Sequence, residues 1–281
     1  MKRPILILLV AVLSLPILSC RKGDATLSTL NVIVSPFVLT DETMPETKSL
    51  TAMERIDAVL YNSNSQPIAR IHQARSTEGN SFGMLSFPNL TAGQYTLVIL
   101  GHNSTDTMTI ISPTRALFAN NTIKDCFLRT QTITVGGQST QNLTLALNRV
   151  VTRFVVVATD AVPAGVAKLR VIFSEGGTEL NPTTTFAANS GGRSVTYNIA
   201  SRVGQSNLTV GTNLFPTSAS MTASIDIQAL DDSETVLFSH NLPSVALQPN
   251  HCVTARGDLF GTNASLTITL DTAWVYDTIA W

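Results

Sequence analysis

Apolar residues alternate with polar ones along most of this chain, in short runs cut by glycine, proline, asparagine and aspartate. A strand points successive side chains to opposite faces, so this period of two dictates strands with one buried face. Leu30, Val32 and Val34 share one face of a candidate strand, and Ile56, Ala58 and Leu60 share one face of another. Residues 94–100 are apolar on both faces, which marks a central strand. Further candidate strands lie at 132–135, 143–147, 153–158, 168–173, 195–199, 223–230, 235–239, 252–259 and 265–270. They are short and rich in Val, Ile and Thr, the pattern of an all-β sandwich. No segment sustains a helical period, and the best short helix candidate is 113–119.

The polar turn Gly136-Gly137-Gln138-Ser139 and one further strand precede a new apolar run that opens at Arg149. A boundary at 148/149 divides the chain into residues 1–19, an N-terminal sandwich over 20–148 and a C-terminal sandwich over 149–281. Each half is of ordinary size for a single core. The expected fold is all-β, two tandem β-sandwich domains.

Composition removes several function classes. The hydrophobic fraction of 44% and net charge of −1 exclude a disordered chain. Three cysteines are too few for a disulfide scaffold of this length. Charged residues are only 13%, with no basic stripe, so no nucleic-acid partner is expected.

Lys2 and Arg3 precede an apolar run from Ile5 to Leu18, interrupted by Ser14 and Pro16 and ending at Ser19-Cys20. A basic start followed by an apolar core is a secretion signal. The run is too short to cross a bilayer, which takes about twenty residues. Ile17-Leu18-Ser19 before Cys20 resembles the bacterial lipobox, with Ile where Leu usually stands. The resemblance implies cleavage before Cys20 and acylation of that residue, palmitate included. Two or more acyl chains on one residue give stable anchoring. Arg21 follows the cysteine in place of the Asp that favours inner-membrane retention elsewhere, which fits an outer-membrane lipoprotein.

Three stretches carry a family resemblance. Arg55-Ile56-Asp57-Ala58-Val59-Leu60-Tyr61-Asn62-Ser63 is similar to the opening strand of the first sandwich of Bacteroidota fimbrial proteins. Leu90-Thr91-Ala92-Gly93-Gln94-Tyr95-Thr96-Leu97-Val98, followed by Gly101-His102-Asn103, resembles that family's transthyretin-like domain. Leu145-Ala146-Leu147-Asn148-Arg149-Val150-Val151 looks like the join between its two sandwiches. The whole resembles a FimB-like fimbrial anchor, a lipoprotein of the fimbrillin family, with a transthyretin-like first domain.

The resemblance implies assembly with other fimbrial subunits by β-strand exchange, cell adhesion, and attachment to the outer membrane through lipid on Cys20. An extended strand completes a neighbour's sheet, with backbone hydrogen bonds supplying affinity and alternate side chains filling pockets. An anchor keeps its own N-terminal strand, and Leu30, Val32 and Val34 are its candidate residues. The C-terminal tail is the candidate donor, through Thr272, Trp274, Tyr276 and Thr278. The plainer reading of 265–270 is the last strand of the second domain. A tip or stalk pilin of the same family is an alternative, with Lys48 or Arg55 as a cleavage point in a stalk subunit. A carbohydrate-binding surface lipoprotein is another, although sugar platforms use exposed aromatics and aromatics are only 6% here.

No catalytic constellation is present in the sequence. His72, His102, His240 and His251 have no metal-ligand spacing, so surface or turn positions are expected for all four. Cys126 and Cys252 are expected as two buried thiols without a bridge. No Gly-x-Ser-x-Gly elbow occurs, and Gly136-Gly137 and Gly191-Gly192 read as turns. Arg256-Gly257-Asp258, a tripeptide known from integrin ligands, falls in a strand and turn. The expectation is a protein that is not an enzyme and holds no metal or cofactor.

Overall fold

The computed structural model describes residues 27–35, 53–261 and 266–271. Nearly all of the regular structure is β. The first half carries β1 (Ser28–Ser35), β2 (Arg55–Asn62), β3 (Pro67–Ala74), β4 (Met84–Leu90), β5 (Gly93–His102), β6 (Met108–Ser112), β7 (Arg115–Phe118), β8 (Cys126–Val135), β9 (Thr140–Ala146) and β10 (Asn148–Arg149). The second carries β11 (Thr152–Ala158), β12 (Lys168–Phe173), β13 (Glu179–Leu180), β14 (Arg193–Asn198), β15 (Leu208–Leu214), β16 (Met221–Leu230), β17 (Val236–Leu247), β18 (Cys252–Gly257) and β19 (Leu266–Asp271).

Two four-stranded sheets, β15-β11-β18-β19 and β14-β12-β16-β17, form the second sandwich. Between them lie Phe154, Val156, Leu169, Val171, Phe173, Ile225 and Ile227. The alternating burial of β12 and β16 is the one-sided pattern of antiparallel strands with one wet face.

The first half is built differently. Its five-stranded sheet, β10-β8-β5-β2-β3, is covered on both faces. On one side the three-stranded sheet β4-β1-β9 packs over Ile56, Ala58, Leu60, Leu97 and Ile99. On the other, the sheet β13-β7-β6 covers Val59, Tyr61, Val98, Leu100 and Leu128. This double cover is why β5 reads as a continuous apolar run: odd residues enter one core and even residues the other. The second core also takes Val150, Val151, Leu180 and Phe215, so strands and side chains from both sides of residue 149 build it.

The helix expected at 113–119 is not there. Pro113 and Thr114 turn the chain between β6 and β7, and Ala116 and Phe118 alternate inward at 0% and 1% exposure. Proline is welcome both at the first position of a helix and at a tight turn. The inward alternation of Ala116 and Phe118 against β6 decides for the strand.

Candidate functional site

The strand expected to be retained occupies a slot. β1 lies between β4, to which it runs antiparallel, and β9, to which it runs parallel. Its burial alternates without a break from Ser28 to Val34. Leu30, Val32 and Val34 are 0%, 1% and 2% exposed and enter the core shared with Leu85, Phe87, Leu97 and Ile99. Burying each such side chain contributes about 1.5–3 kcal/mol.

Polar contacts fix the register at both ends. Ser28 Oγ donates to the Gly136 carbonyl at 2.7 Å, and the Thr29 amide donates to the Ser139 carbonyl at 3.1 Å. At the far end the Val34 amide donates to the Gly83 carbonyl at 2.8 Å. Gly83 has φ of +89°, and an added Cβ there would stand 3.4 Å from the Val34 carbonyl, so glycine suits this close turn. The buried Gln73 of β3 ties the start of β4 down: its Oε1 accepts from the Gly83 amide, and its Nε2 donates to the Met84 carbonyl, each at 2.8 Å.

The outward face of the slot carries a second pattern. Asn31 is in register with Ser86 of β4 and with Asn142 of β9. Its Nδ2 donates to Asn142 Oδ1 at 3.0 Å, and its Oδ1 accepts from Ser86 Oγ at 2.9 Å. One carboxamide thus links all three strands. Beside it Ile33 and Met84 pair in register at 49% and 58% exposure.

The other residues singled out by sequence fall elsewhere. Cys20 and the donor candidates Thr272, Trp274, Tyr276 and Thr278 lie outside the described residues, as does Lys48. β19, just before the donor candidates, is an edge strand antiparallel to β18. Ile268 and Leu270 are in register with the buried Ala255 and Val253, yet are 41% and 45% exposed. Arg55, the other cleavage candidate, opens β2 and is clamped to Asp57, so a cut there would enter the central sheet.

The histidine expectation fails at His102, which is fully buried. It is the last residue of β5, and its parity with Val98 and Leu100 turns it into the core. Its ring meets Phe118 edge-on at 5.1 Å. Cys126, its register partner, is buried as expected, whereas Cys252 is only half-buried; no disulfide joins them. Burial pushes the Cys126 thiol well above its ordinary value.

Sequence reasoning also missed a buried carboxylate. Asp57 is 1% exposed on β2. Arg55 grips both of its oxygens, Nε to Oδ2 at 2.8 Å and Nη2 to Oδ1 at 3.0 Å. His72 Nδ1, opposite on β3, contacts Oδ1, and His102 Nε2 stands 3.7 Å from Oδ2, beyond a formed hydrogen bond. Burial alone would raise this carboxyl; the facing His102, Arg55 and His72 outweigh it and hold the group at about 2. A carboxylate so clamped ties β2 to β3. Among the described residues no group of three or more His, Cys, Asp or Glu side chains is placed to hold a metal. Among them too, no helix is long and apolar enough to cross a membrane.

A third polar cluster sits at the junction of the halves. Arg149 Nε donates to Asp125 Oδ1 at 2.9 Å, and its Nη1 donates to Asn250 Oδ1 at 3.0 Å. The guanidinium lies 4.9 Å from the Phe127 ring centre. Arg256-Gly257-Asp258 closes β18, with Gly257 paired to Ala158 on one side and Leu266 on the other, so the tripeptide does not project.

No curated protein matches the chain in sequence. Solved structures share its fold along almost its whole length. A candidate adhesin from Bacteroides ovatus superposes with a TM-score of 0.55 at 10% identity, covering 90% of this chain and 97% of that one. The fimbrial anchor protein Mfa2 from Porphyromonas gingivalis gives 0.54 at 9% identity, covering 88% and 98%. A candidate polysaccharide-binding protein from Bacteroides thetaiotaomicron gives 0.53 at 9%, covering 88% and 96%. Identity this low speaks for the fold. The model of a family of unknown function, DUF6562, matches residues 62–280, and the chain belongs to that family.

Proposed function

We propose that this chain is a fimbrial assembly protein of the bacterial surface: a lipid-anchored subunit that holds a fimbrium to the outer membrane and joins its neighbours by β-strand exchange. The observation that carries the reading is the place of β1. An N-terminal strand is the middle member of a three-stranded sheet, held by two ladders and three inward side chains. Withdrawn, it would leave β4 and β9 with unpaired backbone edges around an apolar groove, the geometry that an incoming strand completes. The fold shared with a fimbrial anchor protein supports the same reading.

The lipobox-like Ile17-Leu18-Ser19-Cys20 supplies the anchor in this account. The reading assigns no catalytic step, metal or cofactor. Sugar binding is less well supported, because no aromatic ring is among the large apolar side chains exposed on the described residues.

Metabolic labelling with palmitate tests the anchor. The wild-type chain is expected in the membrane fraction carrying label, with fimbriae attached. Cys20→Ser is expected to lose the label and release fimbriae into the medium. A mutant that keeps both its membrane location and its fimbriae contradicts the reading.

A further inference from the structure

The second sandwich is closed along one side and open along the other. On the closed side Arg193 of β14 donates from Nη1 to the Asn213 carbonyl of β15 at 3.0 Å, so the two sheets meet there. The strand order puts the edge strands β17 and β19 at the opposite side. β17 carries guards against further pairing: Pro243, and two register shifts that interrupt its ladder to β16. β19 has neither. Its ladder to β18 runs without a break from Leu266 to Asp271, and it holds no proline and no basic residue. Among the described residues no strand pairs with its other edge.

The inward face of β19 ends at the surface together with that edge. Ile268 continues the row Val156–Ala255, and Leu270 continues the row Phe154–Val253. The first two members of each row are buried, whereas Ile268 and Leu270 are 41% and 45% exposed.

The sequence of the strand names the occupant. Residues 266–270 read Leu-Thr-Ile-Thr-Leu, the same in both directions. An antiparallel neighbour reverses the chain direction, so a two-fold axis at Ile268 sets Ile268 opposite Ile268 of a second copy, Leu266 opposite its Leu270, and Thr267 opposite its Thr269. We infer that β19 is the interface of a symmetric dimer, in which two copies of this chain join edge to edge and their four-stranded sheets run on as one. Opposed side chains of such a pair share a face at about 5 Å, so the bare apolar residues cover one another inward and the threonines pair outward. A register shifted by two residues keeps the faces but leaves one leucine of each copy beyond the paired segment. Asp271 lies just past the palindrome, and the axis sends its two copies to opposite ends, so like charges do not face each other. A contact made by the same patch on both partners closes at two subunits. The inference goes beyond the strand-exchange reading and uses an edge that β1 and its slot do not touch.

The test takes the chain from residue 20 onward, with Cys20→Ser so that no lipid drives association and Cys252→Ser so that the half-buried thiol stays out of the chemistry. A strand pair is a small interface, so sedimentation equilibrium over about 1–100 μM is expected to show monomers passing to dimers. Ile268→Lys sets two like charges face to face and is expected to weaken the dimer about tenfold or more, with its far-UV circular dichroism unchanged. Cysteines along β19 then read the register. Ile268→Cys is expected to form a disulfide with its own copy, because Cα atoms directly opposite fall within the span of about 4.4–6.8 Å that the bond requires. Thr267→Cys alone is expected to stay reduced, and to cross-link when mixed with Thr269→Cys. A chain that stays monomeric to about 100 μM overturns the inference, whatever else then covers the edge. So does a dimer that Ile268→Lys leaves intact, or a Thr267→Cys chain that cross-links with itself as readily as Ile268→Cys.

Discussion

Asn31 and Asn142 stand 111 residues apart in sequence and meet across a parallel ladder with their carboxamides 3.0 Å apart. Parallel pairing requires a crossover, and this one contains β2 to β8, and so every strand of the central sheet except β10. The first strand is therefore added to a scaffold that the rest of the half provides, and its withdrawal would leave β2, β5 and β8 hydrogen-bonded to one another.

The two faces of β1 differ in what a truncation costs. Leu30→Ala empties a fully buried position and is expected to destabilise the protein by about 2–5 kcal/mol. Ile33→Ala, on the outward face, is expected to stay within about 0.5 kcal/mol. Urea denaturation of the two variants side by side checks this, and equal losses would show that β1 does not sit as described.

Asp57 makes the fold sensitive to acid. Its carboxyl titrates at about 2 in the folded protein against an ordinary 3.8. A folded value below the unfolded one gives stabilisation that is complete above about pH 4 and is lost as pH falls through 2. The shift corresponds to about 2 kcal/mol. Asp57→Asn is expected to be less stable near neutrality and to flatten the stability profile between pH 4 and 2. Urea midpoints measured across that range decide it.

Arg149 locks the junction. Arg149→Met removes its bonds to Asp125 and Asn250 together and is expected to cost about 3 kcal/mol, since Asp125 is 3% exposed and loses its guanidinium. Hydrogen exchange should localise the effect to the amides of Val150 and Asn250, which bond to the Cys126 and Val151 carbonyls across the same junction.

Gly191 and Gly192 test the turn before β14. Both have positive φ, +134° and +80°. A Cβ on Gly191 meets nothing within 4 Å, whereas on Gly192 it falls 2.3 Å from the Phe173 carbonyl oxygen. Gly191→Ala is expected to cost about 1 kcal/mol in backbone strain. Gly192→Ala should cost clearly more, because the paired ends of β12 and β14 must part. Thermal melting of both variants gives the comparison.

Much of this architecture is legible in sequence where burial is one-sided or complete. β12 appears over its full length because Leu169, Val171 and Phe173 alternate with charged or partly exposed neighbours. β5 appears as central because both of its faces are buried. β3 is missed because it is an edge strand whose Pro67, Ile68, Arg70 and His72 face solvent and show no clean apolar face. β6 and β7 are missed because Pro113 suits a helix start as well as a turn. The Asp57 clasp is invisible for another reason. Arg55 shares a strand face with Asp57 at a spacing of two, but His72 and His102 reach it only when β2, β3 and β5 are in register, and no spacing along the chain encodes that. Asn31 is hidden likewise among the many Asn and Thr residues of the chain.

The N-terminus of the protein on the cell is the most direct measure of the account. Intact-mass and peptide analysis of protein extracted from outer membranes is expected to show a chain that begins at an acylated Cys20 and still contains Leu30, Val32 and Val34. A chain that begins beyond Lys48, with no lipid and no β1, would contradict it.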